Sequence, residues 1–213
     1  MSNGAPWGWA ALLLLGAYHG INPGMGWLFA VALGIQEKRA QAVVRSLAPL
    51  ALGHGIAIGV VVLLAGLAQI VLPLHYLKIA VAGALLTLGL YRIVRSRHFR
   101  WGGMQVGFRE LTIWSFLMAS AHGAGLMVLP VVLGLPSATM PAGHDMHGNN
   151  PRDLLTGIWV TLVHTIGYLT LTTVVALVVY QKLGLALLRK AWFNLDLIWA
   201  VALIVTGGLA LAI

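Results

Sequence analysis

With 60% hydrophobic and only 8% charged residues over 213 positions, this chain lacks the water-facing surface of a soluble globular protein, which carries roughly 25% charged residues. It has no cysteine, which excludes disulfides, thiolate metal sites and dithiol redox chemistry. The net charge of +8 sits in short loops between apolar runs, a pattern of membrane topology that points to the lipid bilayer and away from nucleic acid as a partner.

Apolar runs long enough to cross ~30 Å of hydrocarbon, about 20 residues each, recur six times. They predict an all-α integral membrane protein with spans over 7–35, 47–72, 74–95, 111–135, 153–181 and 192–212 in one membrane domain, 1–213. The N-terminus lacks the basic start of a cleavable signal, so the first run reads as a true span. Lys38, Arg39 and Arg45 follow span one, Arg92, Arg95, Arg97, Arg100 and Arg109 follow span three, and Lys182, Arg189 and Lys190 follow span five. Only Lys78 and Arg152 fall on the other side. Positively charged loops stay cytoplasmic, so both termini and the 136–152 loop are expected outside.

Span one carries the most specific local motif, His19-Gly20-Ile21-Asn22-Pro23-Gly24-Met25-Gly26. Pro23 removes a backbone donor and clashes with the carbonyl of His19, so the first helix is expected to be kinked or broken at Asn22-Pro23-Gly24. Freed carbonyls at that depth are tolerable only inside protein or along a cavity, where they and Asn22 become candidate ligands.

His54 lies in span two, His122 in span four and His164 in span five, so four histidines occupy four separate spans. A membrane-buried imidazole is costly and rare, and four at similar depth predict a shared polar site. The alternative is four separate rings, each held by a local backbone carbonyl. Neutral imidazole suits nickel, cobalt, zinc, copper and iron, and thioethers favour copper(I), so Met25 and Met127 join the candidate ligands, with Met118 on the His122 face. Methionines in apolar helices also serve simply as packing. In the loop, Met140, His144, Asp145, Met146 and His147 read as a metal-collecting tract, or as merely polar chain.

Spans three and six complete an internal repeat, 7–95 against 111–212. His19-Gly20 with Val31-Ala32-Leu33-Gly34 matches His122-Gly123 with Val131-Val132-Leu133-Gly134. Gly53-His54-Gly55-Ile56 matches Val163-His164-Thr165-Ile166, and Leu77-Lys78-Ile79 matches Leu195-Asp196-Leu197. Three spans per half make the repeat inverted, a construction of secondary transporters that bind near the midplane between repeats. Trp7, Trp9, Trp101, Trp114 and Trp192 read as interfacial anchors, and His75 and His98 as loop residues. Asp196, with Asn194 as its cap, reads as the start of the last helix.

Inverted triplets with a histidine motif at a break in span one resemble the LysE-type transporter superfamily, in particular its nickel/cobalt exporter branch. That branch also has a histidine-rich loop. Its histidine is followed five positions later by aspartate, where this chain has Gly24. The resemblance implies a six-span exporter with a metal-binding first span. The motif through Trp27 is also similar to bacterial inner-membrane proteins, which implies an inner-membrane location.

The expected function is a transporter of a transition-metal ion, with proton coupling available through histidine. The alternatives are a membrane redox protein or metalloenzyme holding haem, copper or iron on histidine, and a proton-coupled exporter of a small solute. No nucleotide-binding loop is present, so ATP-driven work needs a membrane partner. A homo-oligomer is left open.

Overall fold

The structure is a computed structural model that describes residues 4–94, 107–134, 151–183 and 195–212. Nearly all of these are helical, and no strand occurs among them. The elements are α1 (Gly4–Ile21), a 3₁₀ turn (Pro23–Met25), α2 (Trp27–Glu37), α3 (Ala40–Val71), α4 (Leu74–Val94), α5 (Phe108–Ala121), α6 (Ala124–Gly134), α7 (Pro151–Val178), a π-helical turn (Val179–Leu183) and α8 (Leu195–Ala212).

α3, α4 and α7 are each long and apolar enough to cross a membrane. A fourth crossing is present if α5 and α6, bent 58° across a short break, form one span. The bundle has an apolar exterior and a mainly apolar core in which a few polar residues are buried. Buried polar residues include all four histidines, Asn22, Ser46, Ser115 and Thr172, whereas Leu63, Leu67, Ile70, Leu162, Ile166 and Val205 are exposed. A large apolar exterior is a liability in water and the requirement in lipid.

Local sequence explains the helix ends. The residue before a proline is pushed out of the α region, and Asn22 is extended at φ −67° and ψ 121°. α1 therefore stops at Ile21, and Pro23 opens a 3₁₀ turn whose first donor it does not need. Gly26 then takes φ 123°, and a Cβ there would run into the Leu50 side chain, so only glycine serves. Lys38 closes α2 in the left-handed region at φ 54°. α3 begins at Ala40, seven residues before the apolar run, because Arg45 and its neighbours are good helix formers that merely leave the hydrocarbon. At 32 residues it is ~48 Å long, more than the bilayer core requires.

α1 packs chiefly on α7, α3 on α5, and α4 on α8. The first crossing is backbone to backbone. A Cβ added to Gly16 would strike the His164 carbonyl, and one added to Gly167 would strike the Leu13 carbonyl. α3 meets α5 comparably, with Gly53 against the Thr112 carbonyl. One apolar cluster joins Met25, Leu85, Met127, Tyr168 and Leu203, and another joins Leu12, Ile58, Val128 and Val160. His19, His54 and His164 lie where α1, α3 and α7 meet.

Candidate functional site

Three imidazoles from three helices come together in the interior. His19 stands near the end of α1, His54 in the middle of α3 and His164 in the middle of α7, and none is exposed to any degree. Ring centroids are 5.0 Å apart for His19 and His164, 5.5 Å for His54 and His164, and 5.7 Å for His19 and His54. His54 and His164 are parallel within 7°, and His19 crosses them at 68° and 71°.

The hydrogen bonds fix part of the chemistry. His19 Nδ1–H donates to the Leu15 carbonyl at 2.7 Å, which leaves the lone pair on Nε2. Metal-binding histidines commonly have this arrangement, with one ring N–H anchored on a carbonyl. Both ring nitrogens of His54 lack a hydrogen bond within the structure, whereas the His164 ring has the Leu12 backbone beside it as a weak, poorly aligned partner. Orphaned buried polar atoms are rare, because each costs on the order of 1–3 kcal/mol. Among the described residues, no three His, Cys, Asp or Glu side chains are already arranged as ligands of one ion. The rings would have to turn about their side-chain torsions to share one.

His122 takes a different place. It follows α5, and its Nδ1–H donates to the Met118 carbonyl at 2.8 Å, as His19 does to Leu15. It borders the 3₁₀ turn: a Cβ on Gly24 would lie 3.0 Å from the Met118 methyl and 3.9 Å from His122 Cε1. Met25 and Met127 are buried in one cluster with Tyr168, and Met118 packs against it.

The carbonyls beside Pro23 are taken by donors of the protein itself. Trp27 Nε1–H donates to Ile21 at 2.9 Å, Trp114 Nε1–H to Gly24 at 3.1 Å, and the Tyr168 hydroxyl to Met25 at 2.6 Å. Thr172 reaches the Gly20 carbonyl at 3.5 Å. Asn22 Oδ1 accepts from the Gly24 N–H at 2.9 Å and so caps the turn.

Trp114 is therefore not an interfacial anchor. It is 9% exposed, because its indole N–H completes the turn, whereas Trp7 is 76% exposed. His75 lies in the first turn of α4, exposed, rather than in a loop. Met140, His144, Asp145, Met146 and His147 lie outside the described residues, as do Arg95, Arg97, His98, Arg100, Trp101, Arg189, Lys190, Trp192 and Asn194.

Tyr168 is the residue that sequence reasoning missed. Its ring stacks on His54 at 4.0 Å and 14°, and its hydroxyl is also approached by Ser115 and Thr172. The signal was present: His164, Tyr168 and Thr172 recur every fourth residue and so share one face of α7. Chemically, the cluster offers neutral nitrogen donors in a dry setting, suited to a borderline or soft cation or to a proton. No family model, no curated protein and no solved structure matches this chain.

Proposed function

We propose that the chain is a multi-pass membrane transporter of a transition-metal ion, which pauses on His19, His54 and His164. The convergence of three buried imidazoles carries this reading. Burying such groups is costly in a bilayer, and a site that periodically receives a cation accounts for the unbonded nitrogens of His54 beside the weakly held ring of His164.

In this reading the chain has six spans in a 3+3 inverted repeat. Span one is α1 with α2, and span four is α5 with α6. Two observations support it. The dominant pairs exchange when the halves are swapped: α1 on α7 becomes α5 on α3, and α4 on α8 maps to itself. His19 and His122 each anchor on the carbonyl four residues back at the C-terminal end of a helix. The charge pattern places both termini and the 136–152 loop outside, which is the periplasmic side of a bacterial inner membrane. Protons compete for the same lone pairs, which supplies a route to proton coupling.

A bis-histidine haem needs its macrocycle between two rings. Rings 5.0–5.7 Å apart, with Tyr168 stacked at 4.0 Å, fill that space, so the haem form of the redox alternative is not favoured. Because the rings are not arranged around one point, proton-coupled export of a solute without metal is the second reading.

The test is elemental analysis of protein purified in detergent and loaded with copper, zinc, nickel or cobalt, alongside its absorption spectrum. The metal reading expects bound ion that disappears in the His54→Ala/His164→Ala variant, and no Soret band. Transport that depends on pH, ignores chelators and leaves the protein metal-free would replace it with the second reading.

A further inference from the structure

We propose that the ion is copper(I), and that Met25, Met118 and Met127 with His122 form a thioether station beside the three-imidazole cluster. This rests on the metal-transport reading and names its cargo.

Charge is the first argument. The five acidic residues are Glu37, Glu110, Asp145, Asp153 and Asp196, each at least eleven positions from the nearest of the four span histidines. Glu37 ends α2, Glu110 and Asp153 lie in the first turns of α5 and α7, and Asp196 is the second residue of α8. Glu37 and Glu110 are exposed. Asp145 lies outside the described residues, and no acidic residue falls within ten positions of a span histidine, so a cation on these rings has no neighbouring carboxylate in sequence to offset its charge. The desolvation cost of an ion rises with the square of that charge, so a divalent ion costs about four times a monovalent one. A neutral donor set therefore favours a monovalent guest.

Donor softness is the second argument. Thioethers select copper(I) over zinc, nickel or cobalt. Three of the seven methionines belong to this region, Met25 and Met127 fully buried in one apolar cluster and Met118 packed against that cluster. The Met118 methyl and the His122 ring flank Gly24 together, and Met25 is tied to the imidazole cluster through Tyr168, which bonds its carbonyl and stacks on His54. The His122 ring is held in place by its Nδ1–H, which donates to the Met118 carbonyl. Soft donors thus continue from the imidazoles to the turn.

The experiment is anaerobic titration of the full chain in detergent with copper(I) against a competing chromophoric chelator, with silver(I) as a redox-silent probe and zinc(II), nickel(II) and cobalt(II) as comparisons. The expected result is copper(I) and silver(I) binding at least a hundredfold tighter than the divalent ions. Met25→Leu/Met127→Leu is expected to lose at least tenfold in affinity for both monovalent probes. The swap conserves volume and is well tolerated in cores. X-ray absorption of the unsubstituted copper(I) complex should show sulfur among the ligands, a readout independent of how the variant folds. Divalent binding without copper(I), or a copper(I) site with nitrogen ligands alone, overturns this inference and leaves metal transport standing. Absence of every metal overturns both.

Discussion

The ring of Tyr168 lies 4.0 Å from that of His54, nearly parallel to it, while its hydroxyl donates to the Met25 carbonyl at 2.6 Å. One side chain thus joins the imidazole cluster to the turn at Pro23. Tyr168→Phe keeps the stack and orphans the carbonyl, which costs about 1–3 kcal/mol. The melting midpoint in detergent should fall by several degrees. An unchanged midpoint would show that the Met25 carbonyl finds another donor.

Tryptophan position divides into two classes. Trp114→Phe removes the donor to the Gly24 carbonyl and should destabilise by about 1–3 kcal/mol, whereas Trp7→Phe should stay within roughly 0.5 kcal/mol. Thermal denaturation of both variants checks the contrast, and equal losses would remove Trp114 from the turn.

Glycine substitutions offer a sharp comparison. Gly16→Ala drives a methyl into the His164 carbonyl, and a cost of ~3 kcal/mol or more is expected, seen as loss of monodisperse protein on size exclusion. Gly66→Ala, with no atom within 4 Å of the new Cβ, should be neutral or gain up to ~1 kcal/mol from helix propensity. Similar behaviour of the two would contradict the close α1–α7 crossing.

Metal affinity should rise with pH. Ions and protons compete for the same imidazole lone pairs, so binding releases protons and weakens as the medium is acidified. Equilibrium dialysis in steps from pH 8 down to pH 4 measures this, and equal affinity throughout would argue that the histidines are not the ligands.

The rarity of histidine in apolar runs made all four candidates legible, and Pro23 explains locally why α1 stops at Ile21. Which rings meet was not legible. His122 and His19 share a motif and a carbonyl anchor, yet His122 borders Gly24 while His19 joins His54 and His164. That outcome depends on helix rotation and on the bend of 58° between α5 and α6, which sequence spacing does not encode. Trp114 misled because an indole suits a lipid interface and a buried donor equally well. Asn22 was read as a ligand because capping and coordination use the same oxygen. The start of α3 was missed because charge ends a hydrophobic run without ending a helix.

The reciprocal glycines at the α1–α7 crossing also constrain motion. Two backbones seated against each other at two points resist sliding, so under the transport reading proposed above the two helices move between inward and outward openings as one block. Under the same reading the α4–α8 pair, joined to the remainder mainly through α6, is the element left to swing. Since the chain has no native cysteine, engineered cross-links can test this: a staple across α1 and α7 should leave transport running, and one fastening α4 to α3 should arrest it.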